Sequence, residues 1–176
     1  MRRLGAIAGS LLFLLIAPGT VAVLVPWRIS QWHMQAPLLH FSALRVIGIL
    51  LIAGGVPLLL DSFARFALRG LGTPAPVFPT KHLVVSGFYR YVRNPMYVGV
   101  LWVILGQGLL LGNTRVIGYG LIVSVCFHLF VMTSEEPKLR RTFGTEYELF
   151  VASVPRWIPR LSPWRGDAGA DGAGRV

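Results

Sequence analysis

Two short stretches carry most of the chemistry this chain offers. The first runs from Gly87 to Gly99, G-F-Y-R-Y-V-R-N-P-M-Y-V-G, and passes through Arg93-Asn94-Pro95-Met96-Tyr97 into an uncharged segment. Asn94 suits a helix N-cap, and Pro95 suits the first helical position, where a missing N–H costs nothing. The first turn of such a helix offers free backbone N–H groups and a positive dipole end, with Arg93 just before it and Tyr97 just inside. That is a place to hold a small anionic group. The second stretch is Glu135-Glu136-Pro137. Donors for a carboxylate and acceptors for an ammonium or hydroxyls together suit a zwitterionic cofactor. They also suit a reaction in which the protein mainly positions two reactants.

The same residues have a plainer reading. Arg93 and Tyr97 mark a membrane edge in many chains, and the two glutamates can pair with Arg93, Arg140 or Arg141 and anchor a helix end. Adjacent acids at the end of a span oppose the helix dipole there, which favours a ligand-facing role for at least one. His128 lies seven residues before Glu135, so on a regular helix both project from one face, His128 about 10 Å deeper. It is a candidate catalytic residue bordering an acceptor pocket, or a histidine hydrogen-bonded to a neighbouring helix. No Ser-His-Asp set, P-loop, G-x-G-x-x-G or Cys/His metal spacing is present, and no metal is expected. His33 and His40 read as interfacial side chains. The single cysteine, Cys126, cannot form an intrachain disulfide.

The elements that must position these residues are membrane helices. The 176 residues are 54% hydrophobic and 14% charged, with mean hydropathy +0.63. Uncharged or nearly uncharged runs cover Leu4 to Val25, Phe41 to Leu60, Pro95 to Gly112 and Val116 to Ser134. Each is close to the length needed to span a bilayer. A cleaved signal peptide competes for the first run, but it is long for an h-region and lacks a small-x-small site. Pro26 to His40 reads as a short polar link. Asp61 and Arg65 stand at i and i+4, as an ion pair would. Gly70 to Ser86, with prolines at 74, 76 and 79, reads as a stiff loop. Asn113-Thr114-Arg115 is too short a turn for anything but antiparallel neighbours. Asn94 and Ser134 are each nineteen residues from that turn, so the Asn94–Tyr97 corner and Glu135-Glu136 should lie level at one membrane surface. Leu139, Phe143, Tyr147 and Val151 recur at i+4 steps, an amphipathic interfacial helix that Gly144 weakens.

The net charge of +10 invites a nucleic-acid reading, but the placement of the charges opposes it. With a cytoplasmic N-terminus, fourteen of the seventeen Lys and Arg fall inside and only Arg28, Arg45 and Arg115 outside. That is the positive-inside bias of an integral membrane protein with both termini cytoplasmic, which in a bacterium means the cytoplasmic membrane. The domain organisation expected is one membrane domain over 1–161, its motifs in 70–161, and a Gly/Ala-rich disordered tail over 162–176. The partner implied is the lipid bilayer. Neither nucleic acid nor an obligate protein partner is expected.

Gly87-Phe88-Tyr89, Arg93-Asn94-Pro95-Met96-Tyr97-Val98-Gly99, Glu135-Glu136, Phe143-Gly144-x-x-Tyr147 and Val154-Pro155-Arg156, in that order, resemble the isoprenylcysteine carboxyl methyltransferase family, itself related to phospholipid N-methyltransferases. The resemblance implies an all-α integral membrane methyltransferase of about four transmembrane helices, with a C-terminal helical hairpin and an interfacial helix. It implies S-adenosylmethionine as cofactor, bound on the cytoplasmic side by Tyr89, Arg93, Asn94, Pro95, Tyr97, Gly99, Glu135 and Glu136. Tyr147, Arg156 and Trp157 would border the acceptor. Asn94 stands where the family carries histidine; it keeps a hydrogen-bonding side chain but not one that titrates near neutrality. The acceptor implied is lipid-like: an isoprenylcysteine carboxylate, a phospholipid amine, or a small isoprenoid or thiol. Sterol reductases resemble the same region, so an NADPH-dependent sterol or enone reductase is the enzymatic alternative, with Arg90, Arg93, Arg140 and Arg141 for the dinucleotide phosphates. A non-catalytic membrane scaffold is the other.

Overall fold

The structure, a computed structural model, describes residues 2–69, 83 and 85–165. Helices α1 (Arg2–Gly19) and α2 (Val25–Ser30) form one run joined by a π-turn at Thr20–Leu24. Then come α3 (Ala43–Arg69), α4 (Pro95–Leu111), α5 (Thr114–Phe130) and α6 (Glu136–Ser153), with a second π-turn, Val131–Glu135, between α5 and α6. No β-strand occurs among the described residues. The runs Leu12–Ser30, Ala43–Arg65 and Thr114–Ser153 are long and apolar enough to cross a membrane, and Pro95–Leu111 is a shorter apolar helix. The all-α membrane class expected from composition is what forms. Most of the proline-rich loop, 70–82 with 84, and the last eleven residues, 166–176, lie outside the described residues.

The sequence misplaces two breaks, and proline is the reason both times. Pro26 was expected to end the first span, yet the helix runs on to Ser30. A proline inside a helix removes an N–H and leaves carbonyls behind it without a partner. Here the π-turn ends just before Pro26, and neighbouring helices supply the missing donors. Gln107 Nε2 donates to the Ala22 carbonyl at 2.7 Å, and the Tyr119 hydroxyl donates to the Val21 carbonyl at 3.0 Å. Pro137 was likewise expected to break the chain after Glu135-Glu136. Instead α5 continues through the second π-turn into α6, so the two glutamates sit within a helical run and not at a C-terminus. The dipole argument that favoured a ligand role for one of them therefore lapses. The interfacial helix is also not separate from the span. The real bend is at Gly144, whose φ of +52° only glycine adopts without strain. The apolar stripe survives the bend: Leu139, Phe143 and Val151 pack on a cluster of Tyr147, Phe150 and Val154.

Helices α3 and α4 are held together by glycine. A Cβ at Gly48 would lie 2.7 Å from the Gly106 carbonyl, and one at Gly55 would lie 2.8 Å from that of Gly99. Each glycine pair is seven residues apart in its own helix, and the pairing is antiparallel. Without hydrophobic drive between helices in lipid, close backbone approach of this kind is what packs them. The α4–α5 turn is capped by Asn113, whose Oδ1 accepts from the N–H of Arg115 and Val116. Buried Leu59, Phe63, Val100, Val103, Ile104, Val116 and Val123 join α3, α4 and α5 in one core.

Candidate active site at the α4–α5 surface

The α4–α5 hairpin does what its equal arms predict. The Tyr97 hydroxyl donates to Glu135 Oε1 at 2.6 Å, and Arg93 Nη1 donates to Glu136 Oε1 at 3.1 Å. The corner and the acidic pair meet across the two helices. A third strand of chain closes the arrangement. The segment after α6 runs back along residues 90–93 through three backbone bonds: Arg93 N to Pro155 O, Arg160 N to Tyr91 O, and Trp164 N to Arg90 O. Trp164, on the tail side of the expected boundary at 161, packs tilted against Phe150 with ring centroids 5.8 Å apart.

The two glutamates have different surroundings. Glu136 is buried and receives three charge-assisted bonds: one from Arg93, and two from Arg156 at 2.6 and 3.0 Å. The bonds to Glu136 raise the Arg156 pKa, so this guanidinium stays charged. Glu135 has only Tyr97, on one oxygen, and its other oxygen has no hydrogen bond among the described residues. Arg93 is equally divided: its Nη1 is used, while its Nε is buried with no partner among the described residues. Its side chain is 9% exposed.

Asn94 stands at the N-cap position before Pro95 but does not cap. Its side chain turns away and donates through Nδ2 to the Arg156 carbonyl at 3.1 Å. The expected cap is therefore wrong in detail, because the returning C-terminal segment offers Asn94 a better partner than its own helix. The consequence is that no side chain caps the first turn of α4: Pro95 has no N–H, Val98 donates to the Asn94 carbonyl at 3.1 Å, and the Met96 and Tyr97 N–H groups stay available after Arg93.

The remaining candidates fall into three groups. Tyr89 is buried against α3, and burial, with the charge of Glu135 second, raises its hydroxyl pKa. Pro95 opens α4 as expected. Gly99 belongs to the α3–α4 contact, where a Cβ would lie 2.9 Å from the Gly55 carbonyl. Tyr147 is 2% exposed in the core under α6. Arg156 is engaged with Glu136, and Trp157 packs on Leu58, Val92 and Val98. The π-turn between His128 and Glu135 shifts the register that seven α-helical residues would keep, so the spacing argument for a shared face does not carry over. Its Nδ1 accepts a hydrogen bond from Trp157 Nε1 at 3.0 Å. The Asp61–Arg65 ion pair forms as expected, at 2.7 Å. Sequence reasoning did not find Gln107 and Tyr119, or the paired glycines, although the seven-residue glycine spacing in two spans was visible.

A family model described as phospholipid methyltransferase matches residues 43–146. The chain belongs to that family. Among its curated relatives is the protein-S-isoprenylcysteine O-methyltransferase of Schizosaccharomyces pombe, 40% identical over 80 residues, which are 45% of this chain and 34% of the relative. The enzyme of the same name from Dictyostelium discoideum is 35% identical over 80 residues, 45% of this chain and 33% of that one. The matched part thus spans about a third of those relatives. No solved structure matches.

Proposed function

We propose that this family member transfers a methyl group from S-adenosylmethionine to a membrane-soluble, lipid-like acceptor. The observation that carries the reading is the set of unused polar groups at one corner: the uncapped first turn of α4, Arg93 Nε and one oxygen of Glu135. They fit a zwitterion. The α4 N–H groups and Arg93 would take its carboxylate, and Glu135 its ammonium, each by a charge-assisted bond. The bound cofactor would supply a methyl group already activated on a sulfonium. The chain would then have to orient it, exclude water and admit the acceptor. Glu136, Arg93 and Arg156 form the buried brace that holds the corner. Tyr89 and Tyr97 wall it, and Asn94 ties it to the returning segment. The exposed apolar flank of Leu129, Phe130 and Met132 beside Glu135 offers the acceptor's tail a lipid-side approach. The acceptor classes stay those of the sequence reading: an isoprenylcysteine carboxylate, a phospholipid amine, or a small isoprenoid or thiol. His128 serves as a positioning residue for Trp157, and both termini face the cytoplasm.

Against the NADPH reductase reading, one of the cations it needs, Arg140, is already engaged, by Glu148 at 2.5 Å. Titration of the purified protein with S-adenosylmethionine, S-adenosylhomocysteine and NADPH separates the readings. Binding of the first two and not the third is expected, and transfer of a labelled methyl group into a lipid extract should follow. NADPH binding alone, or none at all, sinks the proposal. A reporter fused after Val176 should read as cytoplasmic.

A further inference from the structure

The segment that returns along residues 90–93 does not run flat. Its ties at Pro155 and Arg160 fall on Arg93 and Tyr91, only two residues apart, so Arg156-Trp157-Ile158-Pro159 must loop out between them. The loop reaches toward the apolar part of the spans. Trp157 Nε1 donates to His128 Nδ1 at 3.0 Å, and the two ring centroids lie 6.0 Å apart. His128 belongs to α5, seven residues before Glu135, which places it about 10 Å deeper than the corner by helical rise. Trp157 also packs on the cluster of Leu58, and Leu58 lies nearly one turn before Asp61 in the apolar run of α3. Two helices thus assign the indole the same depth, below the level of Asp61, Arg93 and Glu135. Ile158 follows it and is 79% exposed. The other large side chains exposed near this level are apolar: Leu60 on α3, and Leu129 and Phe130 on α5.

We infer that residues 156–161 form a re-entrant loop that dips into the bilayer, with Ile158 among the acyl chains of the leaflet that meets the corner. Its backbone suits that surrounding. Non-helical backbone is tolerated at membrane depth only where its polar groups are satisfied by protein. Pro155 and Pro159 have no N–H to satisfy. The Pro155 carbonyl accepts from the Arg93 N–H at 2.9 Å, and the Arg156 carbonyl accepts from Asn94 Nδ2 at 3.1 Å. The Arg160 N–H donates to the Tyr91 carbonyl at 2.9 Å. Arg156 and Arg160 flank the tip. Glu136 holds the first and the Ser153 carbonyl holds the second, so both guanidinium groups stay at headgroup level while the residues between them dip. Leu161, fully exposed just past the second tie, comes back to the interface. This immersion does not depend on methyl transfer.

Ile158→Cys and Leu161→Cys, each in a Cys126→Ser background, should be spin-labelled in the full chain and reconstituted in nanodiscs. Relaxation by oxygen, which concentrates in hydrocarbon, is then compared with relaxation by a water-soluble nickel chelate. Val125→Cys, at a 57% exposed position on α5, gives the hydrocarbon reference. The label at 158 should favour oxygen as the reference does, and the label at 161 should favour it less. A label at 158 that favours the nickel chelate puts the loop in water and overturns the inference. A label shielded from both reagents puts it against protein, a second copy included, and overturns it equally. Trypsin gives a second measurement on the chain without labels. Ile158→Asp should speed cleavage of the Arg160–Leu161 bond in nanodiscs at least about tenfold, the scale of losing one buried isoleucine, while Ile158→Leu should cleave as the parent does. Cleavage of Ile158→Asp at the parent rate would show that hydrocarbon does not hold this residue.

Discussion

The two π-turns use the same local device and end in different places. Each spans five residues, each is closed by the N–H of the following residue on the carbonyl five back, and each is followed by a proline one residue later: Thr20–Leu24 before Pro26, and Val131–Glu135 before Pro137. The first buries Ala22, 2% exposed, and exposes Val23, 47%, and its loosened Val21 and Ala22 carbonyls find protein donors. Gln107 and Tyr119 provide them. The second likewise buries Val131, 1% exposed, and exposes Met132, 45%. No side chain among the described residues caps it. The second turn carries Glu135 and leads directly into Glu136. The two turns differ in whether neighbouring helices donate to their carbonyls: the first is tied to α4 and α5 by Gln107 and Tyr119, and the second holds Glu135 against Tyr97.

The largest expected effect tests the brace after the second turn. Glu136→Ala leaves Arg93 and Arg156 facing each other without their shared anion. It should cost about 3–5 kcal/mol in unfolding from mixed micelles. Stability within about 1 kcal/mol of the parent would mean that the three groups are not a structural unit.

Glu135→Gln should do the reverse. Stability should hardly change, while S-adenosylmethionine affinity measured by calorimetry should fall roughly ten- to a hundredfold. If Glu135 and Glu136 variants lose affinity and stability in parallel, the division between a ligand-facing and a bracing glutamate is wrong.

At the first turn, Gln107→Leu should destabilise by about 1–3 kcal/mol, since it strands the Ala22 carbonyl in the bundle. Its cofactor affinity should match the parent. Tyr119→Phe should cost a similar amount through Val21. A loss of cofactor affinity with unchanged stability would place this turn on the functional side of the comparison.

The smallest effects belong to the prolines. Pro26→Ala restores a donor for carbonyls already served by Gln107 and Tyr119, and should change stability by less than about 1 kcal/mol. Pro137→Ala should be as mild in stability but should weaken S-adenosylmethionine binding, because an N–H at 137 lets the turn relax to α-helix and rotates Glu135 away from Tyr97. Equal binding in the two variants would show that the bulge does not set the glutamate's direction.

Much of the molecule was legible in the chain itself. The apolar runs and the near absence of charge within them require helices in lipid, because every backbone group must be satisfied within its own segment. The short Asn113 turn and the equal arms of the hairpin bring Arg93–Tyr97 to Glu135-Glu136 by rise per residue alone. The ordered motifs by themselves resemble the methyltransferase family to which the chain belongs. Three things only the tertiary structure decided, and each depends on partners distant in sequence. Whether Pro26 and Pro137 end a helix depends on who can replace the lost N–H, and Gln107 and Tyr119 are more than eighty residues from Pro26. Which glutamate is buried depends on Arg156, brought back by a segment that pairs with residues 90–93. Whether Asn94 caps its helix depends on a carbonyl of that same returning segment. Local propensity names the choices at such positions, and long-range hydrogen bonds select among them.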